Sequence, residues 1–192
     1  MNFTQTITKE DISLLPVEEF KGKIIVINNK KDAKLAIEYL LCYKAVGFDT
    51  ETRPSFKKGN HYKVALVQLS TDDVCFLFRL NKMGMPAELT DFFSSDSILK
   101  IGLSLRDDFN ALKKRSEMEL RNFVDLQDYV TQFGIEEASL QKIYAIVFHK
   151  KISKRSRLTN WEAPELTEAQ KKYAALDAWS CLRIYKCLNR EK

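Results

Sequence analysis

Asp49 and Glu51 stand one residue apart in AVGFDTET, residues 45–52, behind a run of apolar and small residues. In an extended chain, residues two apart share a face, so a strand here would hold both carboxylates side by side. Two like charges about 4 Å apart repel by roughly 4 kcal/mol at an effective dielectric near 20. Such a pair calls for something positive to offset it.

Two further acids keep apolar company. In KIGLSLRDDFNALKK, residues 100–114, Leu105, Phe109 and Leu112 fall on one face of a helix, and Asp108 borders that face. Its neighbour Asp107 turns about 100° away, where first-turn charge is favoured by the helix dipole; it is the alternative to Asp108. In QKKYAALDAWSCLRIY, residues 170–185, Tyr173 and Asp177 are four apart, stacked on one helical face. Surrounded by Ala174, Leu176, Ala178 and Leu182, Asp177 needs a partner or a cation.

Gathered together, these carboxylates would make an oxygen-rich site suited to a hard divalent cation, Mg²⁺ or Mn²⁺ rather than zinc. His61 and His149 are the two histidines, and neither has a ligand-like neighbour. Two ions bridged by a carboxylate can activate water and stabilise both oxygens of a phosphoryl displacement.

The elements behind these residues follow from hydrophobic periodicity. Strands are expected over 23–29, 45–51, 63–71, 74–80 and 99–103, with a hairpin at Asp72-Asp73. Helices are expected over 31–44, 86–95, 104–114, 126–133, 139–148 and 168–188. Ser104 is the expected N-cap of the helix carrying Asp108. Thr167 and Gln170 form a capping box for the last helix. The pattern is α/β, a mixed central sheet flanked by helices with a helical C-terminal half. The 192 residues, 45% apolar and 30% charged, fit one domain over 1–192, with about 1–20 as an N-terminal lead-in. Cys42, Cys75, Cys181 and Cys187 make no C-x-x-C pair and read as small core residues in a reducing compartment. There is no apolar leader and no run of 18 apolar residues, so a cytoplasmic protein without membrane contact is expected.

FDTET, IGLSLRDDFNAL and YAALDA, in this order and at these separations, resemble the three exonuclease motifs of the DEDD 3′–5′ exonuclease superfamily. Tyr173 four before Asp177 resembles the DnaQ-like DEDDy branch. KVALVQLS and LTNWEAPELTEAQKKYAALDA resemble the Werner syndrome exonuclease and ribonuclease D group, and the likeness covers about residues 20 to 190. It implies a ribonuclease H-like fold and a metal-dependent 3′–5′ exonuclease releasing nucleoside 5′-monophosphates by a two-metal-ion mechanism. By the same resemblance Asp49 bridges both ions, Glu51 and Asp177 complete the tighter site, Asp108 holds the second ion directly or through water, and Tyr173 orients the attacking water. Where relatives more often carry a glycine-rich turn and one aspartate, this chain has Ser104 and the pair Asp107-Asp108.

The net charge is +5. The stretch HKKISKRSRLTNW, 149–161, holds five cations without an acid, among them Lys154, Arg155 and Arg157, placed to meet phosphates or simply solvated. After Glu51, RPSFKKGNHYK interleaves Arg53, Lys57 and Lys58 with Phe56, His61 and Tyr62, as suits a frayed single-stranded 3′ end. Trp161 reads as packing, and Gln68 as a structural hydrogen-bonder. DNA is the expected substrate, because ribonuclease D relatives append helical nucleic-acid-binding domains and none fits after Asn189. The alternatives are a ribonuclease D-like exoribonuclease trimming RNA and a non-catalytic nucleic-acid-binding module; a helicase or polymerase partner is left open.

Overall fold

The computed structural model describes residues 3–55, 62–153, 156 and 158–190. Its strands are β1 (Lys23–Ile27), β2 (Ala45–Thr52), β3 (Val64–Ser70), β4 (Val74–Arg79), β5 (Leu99–Gly102) and β6 (Phe123–Asp125). They form one sheet in the order β1-β4-β3-β2-β5-β6. The β2–β3 and β3–β4 pairs are antiparallel, and the other three are parallel. The short connection through Asp72-Asp73 permits only an antiparallel return between β3 and β4. Helical crossovers α2 (Lys30–Leu40), α4 (Ala87–Ser94) and α5 (Leu105–Lys113) return the chain in the parallel sense.

All seven residues of β3, VALVQLS, are buried, as expected of a strand covered on both faces. One cover includes α7 (Leu140–Phe148) and α8 (Glu168–Asn189); the other includes α2, α4 and α5. The start of α8 has the expected capping box: Thr167 accepts from the Gln170 backbone, and the Gln170 side chain accepts from the Thr167 backbone. Contact between α8 and β2 depends on Gly47. A Cβ at that position would stand 1.8 Å from the Ala178 carbonyl oxygen and 2.7 Å from its carbon. The bare glycine lets the last helix press on the strand that carries Asp49.

Several expectations need correction. β1 stops at Ile27 because Asn29 turns to cap α2, accepting from Asp32 N at 2.9 Å. Three short elements had no periodicity to announce them: α1 (Lys9–Leu14), α3 (Leu80–Met83) and β6. The helix expected over 126–133 is α6 (Leu126–Tyr129) tightening into a 3₁₀ turn, Val130–Phe133. The N-terminal lead-in is anchored through Glu18. Buried Glu18 accepts from the Tyr144 hydroxyl at 2.8 Å and from Arg183 at 3.0 Å, with Lys150 also paired to it. Among the described residues, no helix is long and apolar enough to cross a membrane.

Candidate active site

The end of β2 presents Asp49 and Glu51 to α8. In the β2–β3 register Asp49 lies opposite Gln68 and Glu51 opposite Leu66. From the other side α8 supplies Asp177 and, one turn earlier, Tyr173. One carboxylate oxygen each from Asp49, Glu51 and Asp177 lie within 4.8 Å of one another, with Asp49 half-buried and the other two buried. Burial, then the charges of Asp177 and Asp108, push the Asp49 carboxyl well above its ordinary range. Burial and the nearby Asp177 and Glu51 charges also push the Tyr173 phenol up, and its hydroxyl donates to Asp177. Tyr173 therefore stays protonated and acts as a donor.

Asp108 reaches this trio from the side. Thr50 alternates away from Asp49 and Glu51, and its hydroxyl donates to Asp108 Oδ1. Burial pushes the Asp108 carboxyl up to about 6, and its charge is felt at Asp49. Asp107 is exposed. Asp108 is thus adjacent to the close trio rather than a member of it.

Ser104 does not cap α5. Its backbone is left-handed (φ 59°, ψ 44°), and its side chain makes no capping bond. Asp125, at the end of β6, does that work instead, accepting from Ser104 N at 2.9 Å and Leu105 N at 2.8 Å. The same carboxylate caps α6 by accepting from Gln127 N at 2.9 Å. One side chain therefore fixes two helix starts, including the one that aims Asp108. Sequence reasoning passed over both Asp125 and Thr50. For Asp125 the available signal was an acid directly between apolar FV and a helix start; for Thr50 there was none beyond its place between Asp49 and Glu51.

The proposed nucleic-acid contacts fare differently. Arg53 lies 3.4 Å from Glu162, with its guanidinium 4.8 Å over the Tyr62 ring. Lys57, Lys58, Lys154, Arg155 and Arg157 lie outside the described residues. Two other cations of the 149–161 stretch are engaged internally, Lys150 with Glu18 and Lys151 with the Ser13 carbonyl. Trp161 is fully buried, its ring centroid 6.1 Å from that of Tyr173, so it packs against α8. Gln68 contradicts its expected role: it is fully buried, yet neither Nε2 nor Oε1 has a hydrogen-bond partner.

The donor set of the trio fits a hard divalent cation, since it is all carboxylate oxygen. A cation would also relieve the electrostatic cost that burial imposes on Asp49.

A mixed sheet bearing converging acids on its second strand, faced by a helix with Tyr and Asp four apart, is the arrangement of a nuclease of the ribonuclease H-like class whose acids could hold a metal ion. The chain matches the 3′–5′ exonuclease family model over residues 24–192 and belongs to that family; Tyr173 four before Asp177 is consistent with its DEDDy branch. It is 33% identical over 184 residues to the mouse bifunctional 3′–5′ exonuclease/ATP-dependent helicase WRN, covering 91% of this chain and 13% of that protein. It is 32% identical over 149 residues to an Arabidopsis thaliana 3′–5′ exonuclease, covering 74% and 52%. In fold it resembles Escherichia coli RNase D, an exoribonuclease (TM-score 0.80, 20% identity, 88% and 45% covered). It also resembles the EXO domain of Aedes aegypti Nibbler (TM-score 0.79, 22% identity, 91% and 92% covered). The chain spans about half or less of the two sequence relatives.

Proposed function

We propose that this chain hydrolyses the terminal phosphodiester at a 3′ end and releases nucleoside 5′-monophosphates one at a time. The observation that carries the reading is the meeting of Asp49, Glu51 and Asp177 beneath the Tyr173 hydroxyl. Asp49, Glu51 and Asp177 would hold one Mg²⁺ or Mn²⁺, and Asp108 would help to hold a second, directly or through water. When bound, the ions supply Lewis-acid stabilisation of the phosphate and lower the pKa of the attacking water. Water oxygen bonds to phosphorus, the bond to the 3′ oxygen of the preceding nucleotide breaks, and that oxygen leaves with a proton. Tyr173 keeps its own proton and holds Asp177 and the incoming water in line.

We propose DNA as the substrate. The likeness to the Werner-type group supports this, through 33% identity over nearly the whole chain. The RNA reading rests on fold neighbours such as Escherichia coli RNase D at 20% identity. Matched DNA and RNA strands, labelled at either end and incubated with Mn²⁺, Mg²⁺ or EDTA, test both. The reading expects a 5′-labelled ladder shortening from the 3′ end, mononucleotide release, and silence in EDTA or on Asp177→Ala. Internal cleavage, or hydrolysis undiminished by EDTA, overturns it. A faster rate on RNA overturns the choice of DNA alone.

A further inference from the structure

Gln68 sits mid-strand in β3, among seven buried residues. Across the sheet its register partners are Asp49 on β2 and Leu77 on β4. Directly opposed residues of an antiparallel pair share a face, with Cβ atoms about 4.5–5.5 Å apart. The amide therefore belongs to the face that carries the acid trio, within side-chain reach of Asp49. The next polar side chain on that face of β3, Ser70, already donates to the Thr71 carbonyl.

Buried side-chain amides are nearly always hydrogen-bonded. This one is shielded completely from solvent, with both polar atoms unpartnered. A leucine or methionine would occupy the same space without leaving an amide unpaired. Asp49 meanwhile carries a half-buried carboxyl that accepts from the Thr50 backbone N–H. An idle donor and an under-supported ligand thus face each other across one strand gap.

We propose that Gln68 is a positioning residue for Asp49, its Nε2 donating to the Asp49 carboxylate and fixing that group's orientation in the cation-loaded site. The inference rests on the functional reading above, because it assigns Asp49 as a ligand. Partners that orient a coordinating side chain typically contribute one to two orders of magnitude in metal affinity.

The test is Mn²⁺ binding by calorimetry and electron paramagnetic resonance on the full chain, in parallel with metal-free thermal unfolding. Gln68→Met keeps the volume and removes both polar atoms. It is expected to lose Mn²⁺ affinity about 10- to 100-fold while unfolding, metal-free, no earlier than the parent. Gln68→Glu keeps the shape and an oxygen but removes the N–H, and is expected to bind Mn²⁺ no better than Gln68→Met. Unchanged affinity in Gln68→Met overturns the assignment, as does an equal loss of stability with and without metal. Tight Mn²⁺ binding by Gln68→Glu also overturns it, because the position would then act as a ligand. If the parent itself fails to bind Mn²⁺, the functional reading falls; if the parent binds and hydrolyses while Gln68→Met matches it, only this inference falls.

Discussion

Replacing Asp125 with alanine should weaken the fold and the catalytic centre together. The carboxylate accepts from three backbone N–H groups, at Ser104, Leu105 and Gln127, all within 2.9 Å. Loss of a side-chain cap costs about 0.5–2 kcal/mol per helix, and Asp125 caps both α5 and α6. Ser104 is exposed, so water replaces its acceptor, whereas Leu105 is buried and water does so poorly. The expected loss is about 2–3 kcal/mol, which for a chain of this size lowers the midpoint by about 4–12 °C. Asp108 lies in the first turn of α5, so turnover in saturating Mn²⁺ should fall with it. Asp125→Asn keeps one acceptor oxygen and should fall between parent and Asp125→Ala in both measurements. Denaturant unfolding and steady-state hydrolysis decide the matter. A stability loss near 0.5 kcal/mol, the scale of an ordinary surface substitution, would refute the shared-cap reasoning.

Gly47→Ala should cost at least about 3 kcal/mol, the upper end for overpacking, because the obstruction is the Ala178 carbonyl rather than a flexible side chain; calorimetry should show Mn²⁺ binding weakened as α8 lifts. Tyr173→Phe removes a donor to Asp177 and should slow hydrolysis roughly 10- to 100-fold with the fold intact. Since the phenol is raised, the parent's pH–rate profile should show no alkaline loss from it below about pH 10. Asp108, raised from 3.8 to about 6, binds protons more readily in the native state. Metal-free stability from this group is therefore highest below pH 4 and is lost as pH rises toward 6. Unfolding midpoints of Asp108→Asn minus parent should widen across that window and then level; a constant difference refutes the assignment.

Where the sequence was legible, several signals agreed. The strand bearing Asp49 joins an apolar run to a D-x-E pair, and α8 has both a capping box and a Tyr-x-x-x-Asp face. The hairpin at Asp72-Asp73 was readable from its two flanking apolar runs. What escaped depended on partners distant in sequence. Ser104 has the right residue type for a cap, but its left-handed backbone is imposed by an acceptor 21 positions away. β6, at three residues, is too short to show alternation. Gln68 looked like an ordinary buried amide, and only the register across β2 shows that it faces Asp49 without a bond of its own. The Thr50–Asp108 bond likewise needs the strand and α5 side by side.

The anchoring of Glu18 bears on how the molecule can be cut. The family match begins at residue 24, and a fragment trimmed to that boundary would discard the acid that Tyr144 and Arg183 grip. Arg183 belongs to the same helix as Tyr173 and Asp177. Such a truncation would loosen α8 from its far end and blur the catalytic geometry while leaving every motif residue in place, so a feeble short fragment would say little about the intact chain.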